Sequence, residues 1–155
     1  MKFFTANTLI LTAFVAFVAC EQKKEDRPGV IPIVGTWKLL EGILIEKNDT
    51  TVTDYTRNTS FIKVINNTHF TFLHHDLTKG EGRDPVFGSG GGSYSLHDSL
   101  YMEHLEYCSD RQWEGNDFTF VVKIKNDTLI QSGVEKVEKV GVNRINIEKY
   151  VRLKQ

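Results

Sequence analysis

From Ile33 onward, apolar and polar residues alternate with a period of two, the repeat of a half-buried strand and not of a helix. Residues 35–46 predict a long first strand and residues 51–55 a short second one. Further strands are predicted at 60–66, 69–75, 92–97, 100–108, 117–125, 128–136 and 144–154. Phe70, Phe72 and His74 share one face against Thr71 and Leu73, and Phe118, Phe120, Val122 and Ile124 share another. The connections carry turn chemistry at Asn48-Asp49-Thr50, Asn66-Asn67, His97-Asp98-Ser99 and Asn126-Asp127. Residues 134–142 place valines at mixed spacing and hold at most one helical turn. Eight or nine short strands in simple succession predict an all-β fold, either an up-and-down antiparallel barrel or a sandwich.

One stretch breaks the pattern. Residues 76–92 contain LTKGEGRDPVFGSGGG and read as a long loop, with Gly88 to Gly92 as a flexible cover. The glycines lack the Lys-Ser/Thr and the following helix of a phosphate-binding loop.

The N-terminus follows different rules. Lys2 is the only charge before residue 21, residues 3–19 are apolar to neutral, and EQKKEDRPG begins directly after Cys20. A positive start, an apolar run and small residues ahead of a cut make an export signal. The Phe17-Val18-Ala19-Cys20 junction resembles a bacterial lipoprotein signal. That resemblance implies cleavage before Cys20, a diacylglycerol on its thiol, and a protein anchored in the envelope at the outer membrane or in the periplasm. Residues 1–19 are then the signal peptide, 20–32 a solvated tether and 33–155 one domain. Cys108 becomes the lone cysteine of the mature chain, buried and inert.

Composition narrows the function. The chain has 155 residues, 40% hydrophobic, which suits a single domain. A net charge of −1 leaves no basic surplus for a phosphate backbone, so no nucleic-acid partner is expected. No cofactor is expected either. His74, His75, Asp76, His97, Asp98 and His104 invite a metal reading, but His74 and His75 point to opposite faces of one strand, and no HExxH or CxxC exists. Cys108 and His104 stand four residues apart on one strand, about 13 Å, too far for a catalytic dyad.

The two ends of the domain carry a second resemblance. Gly35-Thr36-Trp37 opens the first strand, Arg152 lies in the last within Glu148-x-Tyr150-x-Arg152, and Gly91-Gly92-Ser93-Tyr94 stands between. Together they resemble the lipocalin superfamily and the lipocalin-like domains of bacterial lipoproteins. The resemblance implies a compact barrel whose closed end is plugged by the Trp37 indole, with the Arg152 guanidinium stacked on it.

Barrel alternation then places a candidate site on the inner face. Phe72, Tyr94, Tyr101, Tyr107 and Phe120 would supply apolar contact, while His74, Glu103 and Gln131 would orient a polar group. A buried Glu103 needs a partner, which is a ligand or a fixed group such as Arg152 or a tyrosine hydroxyl. The expected function is non-catalytic binding of a small hydrophobic or amphipathic molecule. The competing class is a module with a filled barrel that docks an envelope protein or glycan through its outer surface.

Overall fold

The structure is a computed structural model that describes residues 31–154. The expected signal peptide, Cys20 and the tether as far as residue 30 lie outside the described residues. Nine strands follow in order: β1 Gly35–Glu46, β2 Asp49–Asp54, β3 Thr59–Ile65, β4 His69–Asp76, β5 Phe87–His97, β6 Leu100–Cys108, β7 Asn116–Lys125, β8 Thr128–Val137 and β9 Val142–Arg152. Eight of them, β1 and β3 to β9, close into an antiparallel barrel through a β1–β9 pairing. The ninth, β2, is additional. It pairs with β1 along residues 41–46, while β3 takes residues 35–38 of the same β1 edge. Hence β2 and β3 run in line, interrupted by the turn at 55–58.

The Asn-rich connections form because Asn and Asp tolerate the left-handed region. Asn48, Asn58, Asn126 and Asp127 all have positive φ, between 49° and 66°. Asn66 instead accepts the Thr68 and His69 backbone amides on its side chain, at 2.8 and 2.7 Å.

The closed end is built from the first and last strands of the described residues. Trp37 is fully buried, and its indole N–H donates to the Ile33 carbonyl at 2.8 Å. The Arg152 guanidinium lies 4.0 Å from the ring centroid and donates to the Val34 and Pro32 carbonyls. Gly35 fits here because its φ of 149° is one that L side chains rarely adopt, and a Cβ would push that guanidinium off its seat. Above this floor, Leu39, Ile65, Val122 and Leu129 fill the lower barrel with the rings of Tyr101 and Tyr150.

Two expectations need correction. Gly88 to Gly92 form no flexible cover; they lie inside β5. A Cβ at Gly90 would strike the Phe72 ring, at Gly91 the Phe70 carbonyl and at Gly92 the His104 carbonyl. The glycines therefore serve the close approach of three strands. The remaining loop, 77–86, is tied down by Asp76, which accepts from the Thr78 hydroxyl and the Gly80 and Val86 amides at 2.7–2.9 Å. Those bonds hold the Asp76 carboxyl well below the usual carboxylate range. The second correction concerns β6. Gly91 pairs with Tyr107 but Gly92 pairs with Leu105, so Glu106 is an extra residue in a bulge. Beyond it the alternation inverts, turning Tyr107 outward at 69% exposure and Cys108 inward.

Candidate ligand-binding site

Above the packed floor the barrel is hollow, enclosing about 300 Å³. The lining runs from Gln131 and Tyr150, just over the floor, to Thr53, Asp110 and Trp113 at the opposite end.

One wall is aromatic. Phe61 on β3 and Phe72 on β4 stack at 5.7 Å and 15°, and Tyr55 from the 55–58 turn meets Phe61 edge-on at 5.7 Å. Trp113, in the 3₁₀ turn Arg111–Trp113, packs on Phe118. Asp110 caps that turn by accepting the Gln112 amide.

The other wall is polar and internally paired. Lys63 projects inward from β3 with its ammonium 5.3–5.8 Å from the ring centroids of Phe70, Tyr101 and Tyr150. It forms a buried ion pair with Glu103 and donates to the Gln131 carbonyl oxygen at 3.1 Å. Gln131 in turn donates to Glu148 Oε2 at 3.2 Å, and the Tyr150 hydroxyl donates to the same oxygen at 2.8 Å. Nearer the opening, Arg144 holds Glu135 Oε2 through Nε and a terminal nitrogen, at 2.8 and 2.7 Å, while Asn146 donates to Glu135 Oε1. The Arg144 guanidinium also faces the Trp113 ring at 5.3 Å.

Burial shapes the ionisation of these groups. It raises the Glu148 carboxyl above the usual range; Glu135 and Glu103 add to the shift, while Lys63 and the Tyr150 hydroxyl oppose it. Burial and the adjacent Glu148 push the Tyr150 phenol far up, and burial beside Glu103 does the same to Tyr101. The Cys108 thiol is also raised by burial.

The sequence-derived candidates divide accordingly. Phe72, Glu103, Phe120 and Gln131 line the lumen. His74 faces inward but packs behind the wall against Tyr55 and Phe61, its buried Nε2 without a partner among the described residues. Burial, with His75 beside it, lowers its pKa. Tyr101 is fully buried in the packed lower barrel and does not line the lumen. Tyr94 packs on Tyr101 and gives its hydroxyl to the Asn66 carbonyl at the closed end. Tyr107 is outside. The fixed partner of Glu103 is Lys63, and not Arg152 or a tyrosine hydroxyl.

Several lining residues went unnoticed in the sequence: Tyr55, Phe61, Lys63, Glu135, Arg144 and Glu148. A signal existed for three of them. Lys63 lies between Phe61 and Ile65 on one face of β3, while Arg144 and Glu148 share the β9 face of Tyr150 and Arg152. Among the described residues, no three His, Cys, Asp or Glu side chains are grouped to hold a metal ion.

No family model and no curated protein matches the chain. Among solved structures it is similar to an uncharacterized protein from Bacteroides eggerthii DSM 20697, at 13% identity and a TM-score of 0.44, covering 77% of this chain and 98% of that one. It is also similar to the fluorescent protein UnaG in two variants, at 13% and 14% identity and TM-scores of 0.37 and 0.36. Each of those alignments covers 79% of this chain and 97% of UnaG.

Proposed function

We propose that this is a binding protein that takes a small, partly apolar molecule into the barrel lumen and releases it unchanged. The observation that carries the reading is the lumen itself, about 300 Å³ with one aromatic wall and one polar wall. That volume is at the lower end for small-molecule pockets, and an apolar lining with a few fixed polar groups is their usual form. The polar side chains are already held by one another, so a ligand meets a prearranged surface. A filled barrel acting only through its exterior is the weaker reading, because this interior is not filled.

Two features favour binding over catalysis. Cys108, on the lumen wall, is held toward the thiol form by burial. His104, on the same strand, is exposed and hydrogen-bonded to Asp117 at 2.6 Å, away from that thiol. The reading extends to location. An apolar leader ending at Cys20 supports a lipid anchor on that cysteine and a place in the bacterial envelope, at the outer membrane or in the periplasm.

The test is a fluorescence titration with the uncharged apolar dye N-phenyl-1-naphthylamine. Wild-type protein should bind it saturably, one dye per chain. Leu44 on β1 lines the lumen, so Leu44→Trp should fill it with an indole and abolish binding while the fold is kept. No binding by the wild type, or equal binding by the filled variant, would reject the lumen as the site.

A further inference from the structure

The lumen is unevenly charged. Among the described residues Lys63 and Arg144 are its cations, set against Glu103, Glu135, Glu148 and, at the rim, Asp110. Each cation is already committed, Lys63 to Glu103 and Arg144 to Glu135. Glu148 is left with no cation within ion-pair distance among the described residues. Both of its hydrogen bonds come from neutral donors, Gln131 and Tyr150, and both fall on Oε2. Oε1 takes no bond from the described residues, and the side chain lines the cavity.

We propose that the lumen selects an amphipathic amine, its ammonium held by Glu148 Oε1 and its apolar body lying along the Phe61–Phe72 wall. This rests on the lumen being the binding site. An acid placed there would have to draw Lys63 or Arg144 away from its carboxylate and would face the surplus negative charge. An alcohol would make the hydrogen bond without the charge assistance. An ammonium satisfies the open carboxylate oxygen and reduces the charge imbalance in one contact. Burial raises the Glu148 pKa, and the charge of Lys63, already paired with Glu103, does not offset it fully.

The groups facing Glu148 are Lys63 from β3, Glu103 from β6, Glu135 and Gln131 from β8, Tyr150 on its own strand and Tyr55 from the 55–58 turn. An alkylammonium stays protonated well above neutrality. Its affinity should therefore rise with pH as Glu148 ionises, whereas that of an alcohol should not.

The experiment is competition against bound N-phenyl-1-naphthylamine by octylamine, octanol and octanoate, which share one chain and differ in the head. Octylammonium should displace the dye at about tenfold lower concentration than octanol, with octanoate weakest. In Glu148→Gln the amide turns an N–H toward the cavity, and the amine's advantage should fall to about twofold or less. Equal displacement by the three heads, or preference for octanoate, would overturn the amine while leaving the lumen reading intact. A retained amine preference in Glu148→Gln would overturn the role of Glu148. Should that variant not fold, the wild-type ranking and its pH dependence still decide. Absence of dye binding by the wild type would instead reject the lumen itself.

Discussion

Lys63 and Glu103 show how a single buried pair organises a barrel interior. Both side chains are more than nine-tenths buried, so each depends on the other to offset its lost hydration. Lys63→Met should therefore destabilise by about 3–5 kcal/mol, because it strands Glu103 among aromatic rings. Adding Glu103→Met should restore much of that loss, and denaturant midpoints of the two variants check it. Equal destabilisation by the single and double changes would show that packing, not charge, is at stake. Glu148 and Asp76 should give opposite pH signatures. Folding raises the Glu148 pKa, so its contribution is complete below the ordinary carboxylate value and is lost as pH rises through the raised one. The ligand-free barrel should accordingly lose stability on that side, and Glu148→Gln should flatten the slope. Folding lowers the Asp76 pKa, so its contribution holds above the ordinary value and disappears as pH falls toward the depressed one. Asp76→Asn should remove that acid-side loss, which urea melts across pH would reveal.

The strands were legible wherever alternation met an apolar interior. The boundaries of β1, β4, β6 and β7 lie within a residue of the sequence reading. β5 was half missed, since five consecutive positions containing four glycines look like a hinge when their neighbours are unknown. Only the three-dimensional approach of Phe70, Phe72 and His104 shows why side chains are excluded there. Gly92→Ala should cost about 1–3 kcal/mol by forcing the β5–β6 bulge apart, measurable by thermal melting. A neutral outcome would mean that the bulge relaxes freely. The β6 bulge also explains Tyr107, because a one-residue insertion reverses every side chain beyond it and leaves no mark in the local pattern. β9 misled in a different way. Its inward row contains Arg144, Asn146 and Glu148, while its outward row contains Ile145, Ile147 and Val151. A polar lumen inverts the usual pattern of apolar inside and polar outside. The lumen wall was therefore hardest to see where it is most polar.

At the scale of the whole fold, the described residues form a barrel closed at one end and hollow at the other. The two ends meet at the floor, where β1 supplies Gly35 and Trp37 and β9 supplies Arg152. Trp37→Ala should cost about 3–5 kcal/mol as a buried aromatic deletion, read from denaturant unfolding. The proposed anchor is a separate matter from the barrel. Cys20→Ser should move the protein from membranes to the soluble fraction without altering its melting temperature. Unchanged membrane retention would argue against lipid on that residue. The chain has only two tryptophans, and the fold puts them at opposite ends, Trp37 sealed in the floor and Trp113 on the lumen wall. Their indole N–H resonances thus report separately on the two ends in a ¹H–¹⁵N NMR titration with N-phenyl-1-naphthylamine. Binding in the lumen should shift the Trp113 indole signal and leave that of Trp37 in place. Saturable binding that moves neither indole, or that perturbs only outward residues such as Leu73 and Tyr107, would place the ligand outside the barrel and contradict the function proposed for it.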